Sequence, residues 1–179
     1  RVAEAHVERL SNYDMLTELP NRMLLNKRIE QSILEADEKN EIFAVLWCAL
    51  DDFNSVNLLH SYNAGDRLLL SLSERLQHEM QSIQTISRIG GDVFALVLPS
   101  TNTHLDAAKS AQRVLELIRR PFQIDEIQLS ITASIGITVY PHDGATSDQL
   151  LKHAENVMQL AKAQGGNRYQ FFVESVDEK

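Results

Sequence analysis

The 179-residue sequence predicts a single α+β domain with a central, mainly antiparallel five-stranded sheet flanked by helices. Three observations support this fold class. Residues 42–50 form a nearly continuous apolar run, which is typical of a buried central strand. Gly90 and Gly91 separate two apolar segments rich in β-formers, as in a hairpin. Segments with the apolar spacing of amphipathic helices alternate with these strands, so helices must cover the sheet.

The first half of the chain predicts three helices and the central strand. Pro20 suits the first turn of a helix, and apolar side chains at helical spacing continue that helix to about Glu38. The strand over 42–50 follows. Asp51 begins a polar stretch that ends this strand and opens a short helix, and Ala64 starts a longer helix with one apolar stripe of leucines.

The second half adds a hairpin, two helices and two further strands. A tight turn needs positive φ, which glycine adopts at little cost, so Gly90-Gly91 predicts a two-residue turn between strands 85–89 and 93–98. The remaining elements are a helix stopped by a proline, an alternating strand, a helix ended by two glycines and a last strand. They cover residues 103–120, 128–140, 147–163 and 169–173.

Composition and charge exclude several classes of protein. A hydrophobic content of 44% with 23% charged residues is typical of a globular domain. The net charge of −8 argues against a nucleic-acid binder, which needs a basic surface. No apolar run is long enough to span a membrane, so we expect no membrane contact by this segment. The single cysteine, Cys48, lies in the apolar strand, which indicates a core residue of a reduced, cytoplasmic protein; the full-length protein could still be membrane-anchored.

The chain divides into three parts. Residues 1–13 have helical spacing without a capping start, and we interpret them as the tail of a connecting helix from an upstream domain, with a fraying terminus as the alternative. Residues 14–174 form the domain. Residues 175–179 are interpreted as the start of a linker to a possible downstream domain.

Five blocks of sequence, in a fixed order, carry a resemblance to a known family. The blocks are Asp14-Met-Leu-Thr-Glu-Leu-Pro-Asn-Arg22, Leu50-Asp-Asp-Phe53 with Asn57 and Ala64-Gly-Asp66, Arg88-Ile-Gly-Gly-Asp-Val-Phe94, Ser134-Ile-Gly-Ile137 with Tyr140-Pro141, and Ala161-Lys162 with Gly165 to Asn167. From about Asp14 to Phe172 the chain resembles the GGDEF family, the diguanylate cyclases that join two GTP molecules into cyclic di-GMP. The resemblance implies a palm-like nucleotide-cyclase fold. The segments after Arg120 are similar to members in which an EAL phosphodiesterase domain follows.

The resemblance implies a site for two Mg²⁺ ions, held by carboxylates from the first strand and from the signature hairpin. The signature positions here are Gly90, Gly91, Asp92, Val93 and Phe94. Val93 replaces the family's Glu, and Ala49 stands at the first-strand ligand position. The remaining metal ligands would be Asp92, the backbone carbonyl of Leu50 and, weakly, Asp51, which lies two residues beyond Ala49 on the same strand face. We therefore expect weak Mg²⁺ binding and a degenerate active site without cyclase activity.

The positions that bind the nucleotide in the family are better preserved. By the resemblance, Asn57 and Asp66 read the guanine base of GTP through hydrogen bonds, and the carboxylate bonds are charge-assisted. The alternative is that these two residues only cap helices. Phe53 and Asn54 lie at a helix start whose N–H groups could face phosphates, and Lys162 is a retained phosphate-side lysine.

The phosphate side also shows losses. Asn54 replaces a usual Lys, and Gly166 stands where the family has Arg, so we expect weaker triphosphate binding than in active relatives. The product-inhibition site requires Arg-x-x-Asp before the hairpin, but residues 81–84 read Gln-Ser-Ile-Gln. Feedback binding of cyclic di-GMP at that site is therefore not expected.

Three functional hypotheses follow from the resemblance. The first is a regulatory module that binds GTP without cyclase activity and passes that binding to neighbouring domains of the same chain, such as an EAL phosphodiesterase. The second is a purely structural or dimerising domain. The third is a cyclase with residual activity, which would need a homodimer because active members place two GTP-loaded domains face to face.

Overall fold

The computed structural model describes residues 7, 9–81, 83, 85–99 and 104–173. It confirms an α+β fold with a five-stranded, mainly antiparallel sheet. In chain order the elements are α1 (Arg22–Lys39), β1 (Phe43–Leu50), α2 (Phe53–Leu59), α3 (Tyr62–Glu79), β2 (Thr85–Gly90), β3 (Val93–Val97), α4 (His104–Arg119), β4 (Phe122–Ile124), β5 (Ile127–Leu129), β6 (Ala133–Tyr140), α5 (Ser147–Ala163) and β7 (Arg168–Phe171). None of the helices in these ranges is both long and apolar enough to cross a bilayer.

Only part of the predicted N-terminal helix tail falls within the described residues. Val7 and residues 9–12 are helical, whereas residues 1–6 and 8 lie outside the described ranges. The predicted linker at 175–179 lies outside them as well. The division of the chain into three parts therefore stays a prediction.

The sheet has the strand order β2-β3-β1-β6-β7. All neighbouring strands are antiparallel except β6 and β7, which run parallel. β1 is the central strand and all eight of its residues are buried, as the apolar run predicts. β4 and β5 form a separate two-stranded ribbon.

Helices cover both faces of the sheet because β1 sends alternate side chains to opposite sides. Ala44, Leu46, Cys48 and Leu50 join an apolar cluster with α3 and α4. Val45, Trp47 and Ala49 join a second cluster, here called the α1/α5 cluster, with residues of those two helices. The end of β1 thus meets the end of α5, and this meeting point forms the candidate site.

The hairpin turn differs from the prediction. Gly90 belongs to β2 and pairs with Val93, so the two turn residues are Gly91 and Asp92 instead of the two glycines. A bulge between Arg88 and Gly90 shifts the register. Gly91 has φ of 52°, the left-handed conformation that glycine adopts without strain. Asp92 consequently lies in the turn itself.

Two further predicted boundaries are wrong. The strand predicted over 128–140 is divided, because β5 ends at Leu129 and β6 begins at Ala133. Thr132, in the gap, accepts from the N–H of Asp51 and therefore binds the end of β1 instead of continuing a strand. The helix predicted from residue 64 begins at Tyr62, because the Ser61 side chain accepts from the third N–H of the helix and caps it earlier.

Candidate functional site

The two positions that lack the expected carboxylates are direct neighbours at one end of the sheet. β1 and β3 pair so that Ala49 lies opposite Val93. Directly opposed residues project on the same face, with Cβ atoms roughly 5 Å apart. Ala49 is buried and Val93 is partly buried, and both contact the α1/α5 cluster. An apolar contact therefore occupies the place where two carboxylates would converge on a metal ion.

The backbone carbonyl of Leu50, the second expected metal ligand, already accepts a hydrogen bond from a cation. Lys162, near the end of α5, donates from Nζ to this oxygen at 3.2 Å. The N–H of Leu50 donates to the carbonyl of Asp92 at 3.1 Å, which ties the hairpin turn to the end of β1. A divalent ion at the Leu50 carbonyl would face the Lys162 ammonium at close range, and like charges repel.

Asp51 holds together the chain segments around it. Its carboxylate accepts hydrogen bonds from the Thr132 hydroxyl at 2.7 Å, the Ser134 hydroxyl at 2.7 Å and the Asn167 N–H at 2.9 Å. A Cβ added at Gly166 would lie 2.7 Å from a carboxylate oxygen of Asp51, so the turn after α5 fits against Asp51 only with glycine there. The weak metal role predicted for Asp51 would require it to give up these partners.

The donor set at this end of the sheet does not fit the oxygen-rich, octahedral coordination of Mg²⁺. Asp92 is half-buried and makes no side-chain hydrogen bond or ion pair with the described residues, whereas the carboxylate of Asp51 is already engaged. Within the described ranges, no three His, Cys, Asp or Glu side chains are grouped so that they could hold a metal ion. With apolar side chains at positions 49 and 93, and with Lys162 on the Leu50 carbonyl, this end of the sheet does not offer the ligands that two Mg²⁺ ions need.

The residues predicted to bind guanine come together where α2 meets α3. Gly65 packs so tightly on α2 that an added Cβ would lie 1.9 Å from Oδ1 of Asn57. That oxygen is buried and has no hydrogen-bond partner. Asp66, the next residue on α3, is exposed and makes no ion pair or hydrogen bond within the described part of the chain. The buried acceptor of Asn57 and the exposed carboxylate of Asp66 thus differ in their access to solvent.

The capping alternative for these residues is wrong. Asn57 lies inside α2, and Asp66 is the fifth residue of α3, so neither occupies an N-cap position. Ser61 caps α3 instead. The exposed carboxylate of Asp66 is accessible to a ligand that donates hydrogen bonds, whereas Oδ1 of Asn57 is buried against Gly65.

The other predicted nucleotide-binding positions differ in exposure. Phe53 is buried and contacts Gly65, so its side chain supports the α2–α3 contact. Asn54 is exposed at the start of α2. The N–H of Ser55 donates to the carbonyl of Asp52 at 3.1 Å, so one N–H of this helix start is already used.

Sequence reasoning assigned no role to the ion pair that supports the hairpin. Arg88 donates from Nη1 to both carboxylate oxygens of Asp14, at 2.9 and 3.0 Å, and it also donates to the carbonyl of Gly91. Burial raises the pKa of Asp14, but the hydrogen bonds from Thr17 and Arg88 outweigh burial, so the pKa lies below its usual value. Asp14 and Arg88 each begin one of the five blocks that carry the family resemblance. Their opposite charges were the sequence feature that could have predicted the ion pair.

Comparison with known proteins identifies the family of this chain. Residues 11–168 match the family model described as "Diguanylate cyclase, GGDEF domain". The chain belongs to the GGDEF domain family. It is 41% identical over 175 residues to the bifunctional diguanylate cyclase/cyclic di-GMP phosphodiesterase MucR of Pseudomonas aeruginosa, covering 98% of this chain and 25% of MucR. It is 32% identical to the cyclic di-GMP phosphodiesterase PdeR of Escherichia coli, covering 100% of this chain and 27% of PdeR.

Solved structures agree with this family assignment. The GGDEF domain of PA1120 (TpbB or YfiN) from Pseudomonas aeruginosa superposes with a TM-score of 0.85 at 29% identity, covering 90% of this chain and 94% of that one. A sensory box/GGDEF family protein from Caulobacter crescentus gives a TM-score of 0.82 at 34% identity, covering 86% and 99%. This GGDEF domain spans about a quarter of the length of the curated relatives that it matches, which include hybrid GGDEF/EAL proteins.

Proposed function

We propose that this GGDEF domain is a regulatory module of cyclic di-GMP signalling that binds guanine nucleotide and does not make cyclic di-GMP. The Ala49–Val93 contact carries the proposal, because it places two apolar side chains where the reaction needs metal-binding carboxylates. A metal ion in such a reaction supplies several kcal/mol of transition-state stabilisation, and about 1.4 kcal/mol corresponds to a tenfold change in rate. Losing both carboxylates therefore removes several powers of ten in turnover.

The pairing of Asn57 with Asp66 supports retained base recognition. Guanine presents N1–H and N2–H₂ donors on one edge, which match the exposed carboxylate of Asp66. The buried Oδ1 of Asn57 would have to turn outward to accept from the base as well. Adenine lacks this donor pair. A polar site of this kind rejects ligands that would leave its acceptors unpaired.

Nucleotide binding becomes regulatory only if it favours one arrangement of the neighbouring domains over another. The relatives named above include phosphodiesterases and a bifunctional enzyme, each longer than this chain. We propose that this domain lies next to such a catalytic domain and reports guanine nucleotide to it.

Isothermal titration calorimetry of the 179-residue chain with GTP and with ATP tests the proposal. We expect GTP to bind and ATP to give no heat. Asp66→Asn should weaken GTP binding about tenfold to a hundredfold, since a charge-assisted hydrogen bond contributes about 1.5–3 kcal/mol. Glu74→Gln, which changes another exposed acid of α3, is the matched control and should leave binding unchanged.

Two outcomes would contradict this proposal. The absence of heat with GTP would leave only a structural role. Cyclic di-GMP formed during prolonged incubation with GTP and Mg²⁺ or Mn²⁺, at a rate comparable to active cyclases, would show that the chemistry survives.

One observation favours the dimerising role as a second candidate. Leu58 and Leu59, at the end of α2, and Tyr62, at the start of α3, are 84%, 77% and 78% exposed. Large apolar side chains grouped on a surface mark contact sites more often than isolated ones do. Sedimentation velocity of the parent and of a Leu58→Glu/Leu59→Glu variant tests this role, which requires a dimer that the variant loses.

A further inference from the structure

β7 is the last strand of the domain and lies at one edge of the sheet. It has four residues, Arg168–Phe171, and within the described residues it pairs with β6 alone. The two strands run parallel, and parallel pairing is slightly less stable per residue than antiparallel pairing. Because so short an edge strand has few hydrogen bonds of its own, contacts at its two ends decide whether it stays on the sheet.

The carboxylate of Asp51 anchors the beginning of β7. It accepts from the N–H of Asn167, the residue directly before the strand, at 2.9 Å. It also accepts from the hydroxyls of Thr132 and Ser134, and Ser134 is the β6 residue that pairs with Arg168. One side chain after the end of β1 therefore joins β6 to β7 through charge-assisted hydrogen bonds, which are roughly twice as strong as neutral ones.

A stacked pair of rings anchors the other end of β7. The imidazole of His153, on α5, stacks on Phe172 with ring centroids 4.3 Å apart and an angle of 8° between the planes. Nδ1 of His153 donates to the carbonyl of Asp143 at 2.7 Å, which fixes the ring. The N–H of Phe172 donates to the carbonyl of Ile137 in β6 at 2.9 Å. The residue after β7 is thus held through both its side chain and its backbone.

Two glycines separate β7 from α5. Gly165 and Gly166 have φ of 116° and 72°, which glycine adopts without strain. The N–H of Gly166 donates to the carbonyl of Ala161, so the turn is bonded to the end of α5. Residues before Asn167 are therefore held by the helix, whereas residues from Asn167 onward depend on the anchors at Asp51 and His153.

We propose that residues 167–172, here called the exit strap, form one unit that is anchored to the domain at both ends and opens as a whole. Only four ladder residues lie between the anchors, so the loss of either anchor releases the entire strap. While anchored, the strap fixes the direction in which the chain continues beyond Val173. A segment that is either anchored or released offers the two states that a regulatory domain needs. None of the contacts named for the strap involves Asn57 or Asp66, so this device does not depend on guanine binding.

Amide hydrogen exchange of the 179-residue chain, resolved by residue with NMR, tests the proposal. The reporters are the N–H groups of Asn167 and Phe172, at opposite ends of the strap. His153→Gln removes the ring stack at one end, and Asp51→Asn removes the charge of the anchor at the other. Each variant should lower the protection of both amides about fivefold or more. Lys152→Gln and Asp52→Asn, at the exposed neighbouring positions, are the matched controls and should leave both amides unchanged.

The amides of β1 distinguish local release from general destabilisation. Opening of the strap leaves β1 paired with β3 and β6, so protection in β1 should fall much less than in the strap. Three results overturn the proposal. Protection that falls only at the amide beside the substituted anchor shows that the strap does not open as a unit, and an equal fall in β1 shows that the whole domain is destabilised. Unchanged protection at both reporter amides shows that the two contacts do not anchor the strap.

Discussion

At the scale of single residues, Glu18 stands in the block Asp14–Arg22 where the family resemblance implies glycine, and it adopts a left-handed conformation. Its φ is 63°, in the region that costs a residue with a Cβ about 1–2 kcal/mol. The side chain is exposed and pairs with Arg9 at the surface. That pair contributes little in solvent, so the backbone strain is the larger effect.

Glu18→Gly should stabilise the domain. Removing the left-handed strain stabilises the folded state, whereas glycine also stabilises the unfolded chain by about 0.4–1 kcal/mol through its greater conformational entropy. The first effect is larger, so the free energy of unfolding should rise by about 0.5–1 kcal/mol. The melting temperature should rise by about 2 °C for a domain of this size. Glu18→Gln removes the ion pair but keeps the strain and should leave the melting temperature unchanged; an equal rise in both variants would show that strain is not the cause.

The Asp14–Arg88 pair should make the free energy of unfolding depend on pH in the acidic range. Because the folded pKa of Asp14 lies below its ordinary value of 3.8, the stabilisation from its charge is fully present above pH 3.8 and is lost as pH falls through the folded pKa. Asp14→Asn should lower the free energy of unfolding by about 2 kcal/mol at neutral pH, and this difference should shrink below 3.8.

Urea denaturation of the parent and of Asp14→Asn over a series of pH values measures this difference. Glu126→Gln, at an exposed position in the turn between β4 and β5, is the control and should show no such trend. A constant difference between the parent and Asp14→Asn at all pH values would contradict the role of the carboxylate charge.

At the scale of elements, the contact between α5 and β6 places Lys162 at the site. Gly136 in β6 lies directly under α5, since an added Cβ would lie 2.0 Å from the carbonyl oxygen of Ala154 and 2.6 Å from the N–H nitrogen of Met158. Both are backbone atoms, so the helix itself would have to move. The lysine near its end would move with it.

Gly136→Ala should therefore destabilise the domain by about 3 kcal/mol, at the upper end of the cost of overpacking. Gly144→Ala is the matched control, because its nearest heavy atoms would lie at 3.2 Å, and it should cost less than about 1 kcal/mol. Chemical denaturation of both variants measures which substitution lowers the free energy of unfolding more. A cost for Gly136→Ala no larger than for Gly144→Ala would mean that α5 moves away easily.

The sequence predicts the elements better than their ends. The apolar run of β1 and the glycines after α5 are local signals, and both are confirmed. The break between β5 and β6 depends on Thr132 binding Asp51, which is 81 residues away in sequence, so no local pattern shows it. The opposition of Ala49 and Val93 likewise depends on strand register, which only the folded sheet fixes.

At the scale of the whole molecule, β1 contributes side chains to both apolar clusters, one on each face of the sheet. Alternate residues of this one strand enter each cluster, so neither cluster can lose its packing without disturbing the other. The single tryptophan, Trp47, lies in the α1/α5 cluster, so its fluorescence reports on that cluster. Far-ultraviolet circular dichroism, in contrast, reports on the backbone of all helices and strands. We expect this domain to unfold as one cooperative unit.

Urea unfolding followed by Trp47 fluorescence and by far-ultraviolet circular dichroism should give coincident transitions, as two-state behaviour requires. Phe43→Leu, which changes the packing of the α1/α5 cluster alone, should shift both transitions equally. A fluorescence transition at lower urea than the dichroism transition would show that the two clusters unfold independently.

The direct opposition of Ala49 and Val93 also has a consequence for single substitutions at either position. An acid introduced at either position by a single mutation would lie against an apolar partner, beside a lysine whose ammonium is committed to Leu50. Such a carboxylate loses hydration without gaining a metal ion. The single variant should therefore be less stable than the parent and than a double variant with a bound metal ion. Under the proposed function, a variant that regains cyclase activity would therefore need both substitutions together.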